Sequence, residues 1–183
     1  NTVSKYPNES YYAMEYSTMV WDPRCYNIVW IGKGNTLWRS TNGAQSYDSI
    51  FASPDKGAMM EHIVIARSNP NYMYVTQSSN DLRDGKIWKS TDAGKTWRAV
   101  NDPPVTSGSE RRVSNIAVSY TNEKELWLAY RAGSRSNKVF HSVNGGDTWI
   151  NLTTSMVEEE TSSDIIHQAG TNGGVYLACD RGK

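Results

Sequence analysis

Short apolar runs recur along the chain at a spacing of about fifty residues. The clearest run has an apolar, an aromatic, an apolar and a small residue in order, at residues 29–32, 73–76, 126–129 and 175–178. A second β-like run and a segment of turn-forming residues precede these copies, which is typical of paired short strands. No segment keeps the helical spacing of apolar residues over a useful length. The pattern therefore predicts a nearly all-β chain.

A polar turn motif follows three of these runs. In its fullest form, at residues 90–97, it reads Ser-Thr-Asp-Ala-Gly-Lys-Thr-Trp, and related copies begin at Ser40 and Ser142. Each unit then reads as strand A, a turn, strand B, a loop, strand C, the motif and strand D. Four short antiparallel strands in a regular repeat describe one blade of a β-propeller. The predicted fold class is all-β, with blades of four antiparallel strands and about three and a half blades present.

Each residue type in the motif suits a tight reversal between strands C and D. An Asp or Asn side chain accepts hydrogen bonds from backbone N–H groups of the turn, and a hydroxyl on either side closes it. Glycine takes a positive φ at no steric cost, and an aromatic residue opens strand D with a ring that can be buried between sheets. The residues given these roles are Ser40, Asn42, Ser46, Tyr47, Ser90, Asp92, Gly94, Thr96, Trp97, Ser142, Asn144, Gly146, Thr148 and Trp149.

The motif resembles the Asp-box, or BNR repeat, of sialidase-like and sortilin/VPS10-like propellers, and the resemblance extends over essentially the whole chain. We call the copies box turn 1 (residues 40–47), box turn 2 (90–97) and box turn 3 (142–149). Box turn 2 matches the family pattern at every defined position, box turn 3 has Asn144 for Asp, and box turn 1 has Ala44 for Gly and Tyr47 for Trp. In that family the box is a structural turn remote from the ligand face. The resemblance therefore implies a structural role for Asp92, not a catalytic or metal-binding one.

The repeat divides the chain into blade 1 at about residues 13–53, blade 2 at 60–102, blade 3 at 112–154 and an incomplete blade 4 at 163–183. Closed propellers need about four blades or more. Blade 4 has only strands A and B, so its edge at residues 175–177 is predicted to lack a neighbouring strand. Since natural proteins cover such edges, we expect the remainder of a longer chain, or a partner chain, to cover this one.

Composition excludes two classes of partner and favours one compartment. The 19 basic and 19 acidic residues cancel, so no bulk field attracts nucleic acid, and no apolar run approaches the length that inserts into a membrane. Seven Trp and eleven Tyr, with many Ser, Thr, Asn and Gly residues, favour a secreted or cell-surface protein. Resemblance to secreted bacterial proteins with sortilin-like propellers favours a bacterial source.

The cysteines and histidines show no metal-ligand spacing, and neither a cofactor nor a metal site is predicted. Cys25 and Cys179 lie in the first and last units, where they could form a bridge. Single buried cysteines are common in strands, so we favour free thiols. His62, His141 and His167 are interpreted as surface or strand-edge residues.

Ligand binding is expected at the face opposite the box turns, where the B–C and D–A loops surround the mouth of the channel. These loops vary in length while the box turns stay regular, as expected when a rigid scaffold carries a variable recognition surface. The candidate residues in these loops are Asp81, Arg83, Asp84, Arg111, Arg112, Arg131 and Arg135.

Three functions remain open. The first is non-catalytic recognition of a protein or glycan by a larger secreted or cell-surface protein. The second is sialidase-like or xyloglucanase-like glycoside hydrolysis, with catalytic residues in blades not present in this chain. The third, implied by resemblance to propellers that help build photosystems, is assembly of a complex. Sialidases of the family need an Arg-Ile-Pro motif, whereas Asp22, Pro23 and Arg24 have the wrong order, so the sequence favours the non-catalytic function.

Overall fold

The computed structural model describes residues 18–79, 85–105, 112–131, 136–158 and 160–180. In these ranges the regular secondary structure is entirely β, and they contain no helix long and apolar enough to span a bilayer. The strands are β1 (Thr18–Trp21), β2 (Val29–Lys33), β3 (Thr36–Ser40), β4 (Asp48–Ala52), β5 (Met59–Ile65), β6 (Met73–Ser78), β7 (Lys86–Ser90), β8 (Arg98–Ala99), β9 (Val113–Val118), β10 (Leu126–Tyr130), β11 (Val139–Ser142), β12 (Ile150–Asn151), β13 (Ser162–His167) and β14 (Val175–Cys179).

The strands form three four-stranded antiparallel sheets, each an up-and-down meander, and one pair of strands. We call them blade 1 (β1–β4), blade 2 (β5–β8), blade 3 (β9–β12) and unit 4 (β13–β14). This arrangement confirms the predicted all-β fold, part of a β-propeller built from four-stranded blades. Register repeats from unit to unit, with the strand-B aromatic residue facing an apolar strand-A residue in the pairs Val20–Trp30, Val64–Tyr74, Ala117–Trp127 and Ile166–Tyr176.

The core lies between the blades. One cluster joins blade 1 to blade 2 around Trp30 and Met73, and a second joins blade 2 to blade 3 around Tyr74. A third cluster joins blade 3 to unit 4 around Trp127 and Ile165. Strands β6 and β10 are buried at every position because a sheet packs on each of their faces. The apolar strand B of each blade therefore holds neighbouring blades together.

Apolar side chains lie exposed on the two outermost sheets. Met19 and Trp21 are exposed on blade 1, and Ile166 and Tyr176 are exposed on unit 4. Strand β14 alternates between half-buried and exposed positions, whereas β10, its counterpart in blade 3, is buried throughout. Among the described residues, no further sheet packs on these two outer faces.

Candidate functional site

Each blade has two ends with different connections. The A–B and C–D connections lie at one end, which we call the box face because it carries the box turns. The B–C and D–A connections lie at the other end, which we call the loop face. The box turns and the two described ligand-face residues, Arg112 and Arg131, therefore lie at opposite ends of the blades.

Hydrogen bonds to Ser90 and Asp92 close box turn 2. The Ser90 hydroxyl donates to Asp92 Oδ1 over 2.8 Å and accepts from the Gly94 N–H over 2.8 Å. Asp92 accepts from the Thr96 N–H on Oδ1 at 2.9 Å and from the Thr96 hydroxyl on Oδ2 at 2.6 Å. These bonds, led by the one from the Thr96 hydroxyl, lower the pKa of the Asp92 carboxyl to about 2.

Box turns 1 and 3 have the same bonds with an amide in place of the carboxylate. Asn42 Oδ1 accepts from the Ser46 N–H at 3.0 Å, and Asn144 Oδ1 accepts from the Thr148 N–H at 2.9 Å. An amide nitrogen donates and cannot accept, so it bonds to the hydroxyl oxygen of the same Ser or Thr. The distance is 2.9 Å from Asn42 Nδ2 to the Ser46 hydroxyl and 2.8 Å from Asn144 Nδ2 to the Thr148 hydroxyl. The turn therefore closes in the same way with Asp or Asn.

The glycine at the fifth position of the motif lies against the preceding blade. Gly94 and Gly146 have φ of 82° and 88°, a conformation that costs glycine little. A β-carbon on Gly94 would collide with the Trp30 ring of blade 1, and one on Gly146 would lie 2.9 Å from Val100 of blade 2. Ala44 takes the same conformation in box turn 1, with φ of 68°.

Polar bonds also join box turn 3 to blade 2. The buried ammonium of Lys89 donates to the Gly145 carbonyl over 3.0 Å, and the Trp149 indole N–H donates to the Asn101 carbonyl over 2.8 Å. Trp149 is buried, whereas Trp97 of box turn 2 is half-buried and stacks on a blade 1 ring. The box residues thus serve turn closure and blade contact, at the end of the molecule away from the loop face.

A cleft of about 150 Å³ opens on the loop face where blade 2 meets blade 3. It is lined by Glu61, His62, Arg112, Val113, Ser114 and Arg131. Two predicted ligand-face residues, Arg112 and Arg131, therefore meet in one place. The other five, Asp81, Arg83, Asp84, Arg111 and Arg135, lie outside the described residues.

β-Bulges supply two of the side chains that line the cleft. The pairing of β5 with β6 shifts between Met60 and His62, so Glu61 is the extra residue of its strand. The pairing of β9 with β10 leaves Ser114 as the extra residue at the equivalent position. The third bulge, at Ser163 in unit 4, shows that the device repeats with the blades.

Glu61 is the buried anion of the cleft. Its side chain is 6% exposed, and Oε1 accepts from Arg112 Nε over 3.2 Å and from the Ser78 hydroxyl over 2.8 Å. Oε2 is buried and has no hydrogen-bond partner among the described residues. Because a buried carboxylate oxygen without a partner is costly, Oε2 has an unused capacity to accept a hydrogen bond.

The Arg131 backbone is fixed while the residue itself is exposed. Its N–H donates to the Arg112 carbonyl over 2.9 Å, and its carbonyl accepts from the Ser162 N–H over 3.0 Å. Burial lowers the pKa of the His62 imidazole, against the opposing effect of the Glu61 carboxylate. The cleft can therefore offer the Arg131 guanidinium as a donor beside the Glu61 carboxylate as an acceptor.

Glu61 was not predicted as a site residue, and His62 was not predicted to line a cleft. A signal for both was present in the repeat. The isoleucine of strand A recurs at residues 63, 116 and 165, while the residue two positions earlier changes from Glu61 to Ser114 to Ser163. A variable position beside an invariant core position is where a repeat scaffold can place a recognition residue.

A second cavity, of about 240 Å³, lies along the inner strands of all four units. Its wall is mainly apolar, with Ile63, Ile116 and Ile165 from successive units. At its rim the Arg67 guanidinium lies 4.9 Å from the centroid of the Tyr120 ring. This surface has the place of a propeller's channel wall and offers fewer hydrogen-bonding groups than the loop-face cleft.

The prediction of surface or strand-edge histidines was wrong for His167. The residue is 4% exposed, its ring stacks on Trp127 with centroids 4.9 Å apart, and its Nδ1 accepts from the Tyr120 N–H over 3.3 Å. The reason is that the end of β13 packs against blade 3. Cys25 is exposed and Cys179 is half-buried, and the two are not bonded to each other in the structure. No cluster of three or more His, Cys, Asp or Glu residues able to hold a metal ion occurs in the described part of the chain.

Comparisons with known proteins agree with the fold. A family model described as Sortilin, neurotensin receptor 3 (Sortilin-Vps10) matches residues 35–173. Xyloglucanase Xgh74A of Acetivibrio thermocellus is 24% identical over 127 residues, which cover 66% of this chain and 15% of the enzyme. The human VPS10 domain-containing receptor SorCS2 is 24% identical over 124 residues, which cover 62% of this chain and 11% of the receptor.

Among solved structures, an ancestral GH74 enzyme superposes with a TM-score of 0.64 at 20% identity, over 81% of this chain and 20% of that one. At this identity the likeness concerns the fold alone. The chain spans less than a fifth of the length of either sequence relative.

Proposed function

Because the chain belongs to the Sortilin-Vps10 family, we propose that it forms part of a propeller that recognises a protein or glycan ligand without cleaving it. The observation that carries the proposal is the loop-face cleft, where Arg112, Arg131 and Glu61 converge. We place this propeller in a larger secreted or cell-surface protein. The balanced charge and the high content of Trp and Tyr support that location.

The chemistry of the cleft favours a ligand that carries hydroxyl or anionic groups. The exposed Arg131 side chain can donate to a carboxylate or to a sugar oxygen through the guanidinium fork. Glu61 Oε2 is a buried acceptor without a partner among the described residues, suited to a hydroxyl donor. Two arginines against one glutamate disfavour a cationic ligand. A polyol or a carboxylate-bearing chain end fits these groups best.

We propose that the cleft binds its ligand without catalysis, because its described lining contains too few carboxylates for glycoside hydrolysis. Glycoside hydrolysis generally needs two carboxyl groups across the scissile bond, one of them protonated to act as the acid. The described lining of the cleft contains one carboxylate, Glu61, and Arg112 and Ser78 hold its Oε1 in place. A single carboxylate held in this way lacks the second carboxyl group across the cleft that such hydrolysis needs.

Glycoside hydrolysis is the second candidate, favoured by the similarity to xyloglucanase Xgh74A. In that case the loop-face cleft would be one wall of a sugar-binding groove, and Glu61 would face a second carboxylate outside the described residues. Release of reducing ends from xyloglucan, abolished by Glu61→Gln, would favour this candidate over recognition alone.

Binding is tested with the full chain against a panel of neutral oligosaccharides, acidic oligosaccharides and peptides with free carboxyl ends. For a ligand found in the panel, Arg131→Ala should weaken binding about tenfold or more, as expected for loss of a charged hydrogen bond. Arg67→Ala is the matched control, because Arg67 lies at the box-face end of the same blade pair. If Arg131→Ala bound the ligand as tightly as the parent, the loop-face cleft would not be the binding site.

A further inference from the structure

Two of the three box turns contain an Asn followed directly by Gly, at residues 42–43 and 144–145. In an unfolded chain this dipeptide is especially prone to deamidation, because the unhindered glycine nitrogen can reach the preceding side-chain carbonyl. Asn is among the thermolabile residues that hyperthermophilic proteins use sparingly. Box turn 2 has Asp92 and Ala93 at the equivalent step, which offers no amide to lose.

We propose that both Asn-Gly steps are latent deamidation sites that the folded box turns hold closed, and that Asn42 is released before Asn144. In the reaction the Gly43 nitrogen loses its proton and attacks Cγ of Asn42. A carbon–nitrogen bond forms, the bond from Cγ to Nδ2 breaks, and ammonia leaves. Water then opens the succinimide at either carbonyl carbon, which yields aspartate or isoaspartate without any other reagent.

The folded turns restrain the attacking nitrogen. The Gly43 N–H donates to the Asn27 carbonyl over 2.9 Å, and the Gly145 N–H donates to the Lys124 carbonyl over 2.7 Å. Each bond directs the N–H away from the preceding side chain and retains its proton. The nitrogen can attack only after the bond to the neighbouring turn has broken.

The folded turns also restrain the amide under attack. Asn42 Oδ1 accepts from the Ser40 hydroxyl over 2.9 Å, and Asn144 Oδ1 accepts from the Ser142 hydroxyl over 3.0 Å. The amide nitrogen of each donates to a hydroxyl farther along its turn, as described above. Rotation of the side chain towards the glycine nitrogen would break these bonds together. Deamidation therefore requires local opening of the whole turn.

The surroundings set the order of the two sites. Box turn 3 is covered by blade 2, because Gly145 is buried and its carbonyl accepts from the buried Lys89 ammonium. Asn42 and Gly43 are exposed, and among the described residues a β-carbon on Gly43 would meet only Asn27 within 4 Å. In the part of the chain that the structure describes, no blade covers the Asn-Gly step of box turn 1, whereas blade 2 covers that of box turn 3.

The test follows deamidation by peptide mass spectrometry while the full chain is kept in alkaline buffer, folded or in urea. In urea both Asn-Gly steps should react at the rate of a free peptide. In the folded chain both should be slowed at least about tenfold, Asn144 more than Asn42. Ser40→Ala should raise the rate at Asn42 about tenfold while leaving that at Asn144 unchanged, and Ser142→Ala should do the reverse.

Gly43→Ala is the matched control, since Ala93 already occupies the equivalent position with φ of 62°. It should suppress the reaction at Asn42 without unfolding the chain. If a serine variant does not fold, the parent chain in sub-denaturing urea decides, because local opening should release Asn42 at lower urea than global unfolding. Reaction of the folded parent at the free-peptide rate, or release of both sites only with global unfolding, would overturn the proposal.

Discussion

Box turns 1 and 3 have the same internal hydrogen bonds and different surroundings. In both turns a Ser hydroxyl donates to an Asn carbonyl oxygen, at 2.9 Å for Asn42 and 3.0 Å for Asn144. Box turn 3 packs under blade 2, with Val100 against Gly146. Within the described residues, box turn 1 has no blade packed against it in this way. Box turn 1 departs from the motif at Ala44 and Tyr47, the positions whose counterparts in box turn 3 contact blade 2.

Two of the sequence departures in box turn 1, at Ala44 and Tyr47, fit this comparison. Ala44 stands at the position where Gly94 and Gly146 lie against the preceding blade, and it keeps a positive φ of 68°. Tyr47 replaces tryptophan, whose counterpart Trp149 donates to Asn101 of the preceding blade. We infer that the turn itself requires the Ser and the Asp or Asn. The blade interface requires the glycine at the fifth position of the motif and the tryptophan.

The largest effect is expected for Gly94→Ala. The new methyl group would adopt a strained positive φ and collide with Trp30, which is fully buried and cannot retreat without disturbing the interface. Strain and overpacking together should lower the free energy of unfolding by about 2–4 kcal/mol. Urea unfolding followed by tryptophan fluorescence measures the change.

Ala44→Gly is the matched control at the equivalent position of box turn 1. Glycine relieves the positive φ there but adds freedom to the unfolded chain, so stability should change by less than about 1 kcal/mol. A Gly94→Ala variant as stable as this control would mean that the glycine serves the turn conformation alone.

The architecture was predictable because its determinants are local and repeated. The strand-B pattern, exemplified by Trp30 and Trp127, recurs with the blade period, and the box sequence marks each reversal between strands C and D. Burial of β6 and β10 on both faces follows from the same repeat. Periodicity alone therefore defined the sheets without reference to long-range contacts.

The cleft was only partly predictable. Arg112 and Arg131 were recognised as loop-face residues, but their meeting depends on how blades 2 and 3 pack. Glu61 lies at a bulge, and a one-residue insertion in strand pairing leaves no local mark on the hydrophobic pattern. The burial of His167 was missed because it comes from a neighbouring blade, where the ring stacks on Trp127.

A middle-sized effect is expected for Lys89→Met, which tests the polar side of the blade interface. The change keeps most of the apolar stem and removes the donor to the Gly145 carbonyl, a buried acceptor. Loss of this bond should lower stability by about 1–2 kcal/mol. Arg39→Met, at the equivalent position of blade 1, removes a guanidinium 5.4 Å from the Trp30 ring and should cost less, about 0.5–1 kcal/mol. If Lys89→Met lost less stability than Arg39→Met, the bond from Lys89 to the Gly145 carbonyl would not be what holds box turn 3 to blade 2.

The smallest effect, visible only in acid, separates the Asp of box turn 2 from the Asn of box turns 1 and 3. Bonds from Thr96 and Ser90 lower the pKa of Asp92 to about 2, below the usual range of an unfolded aspartate. Stability from this group is therefore fully present above about pH 4 and is lost as the pH falls towards 2. The carboxylate is near the surface and screened, so the loss should stay below about 1 kcal/mol. The parent should therefore lose stability relative to Asp92→Asn as the pH falls below about 4, because the amide keeps the turn closed without titrating. Urea unfolding of both proteins at each pH measures the difference. Asn144→Asp is the reciprocal variant and should gain the acid dependence that Asp92→Asn loses. Parallel pH profiles for all three proteins would show that the carboxylate adds nothing to the turn that an amide does not.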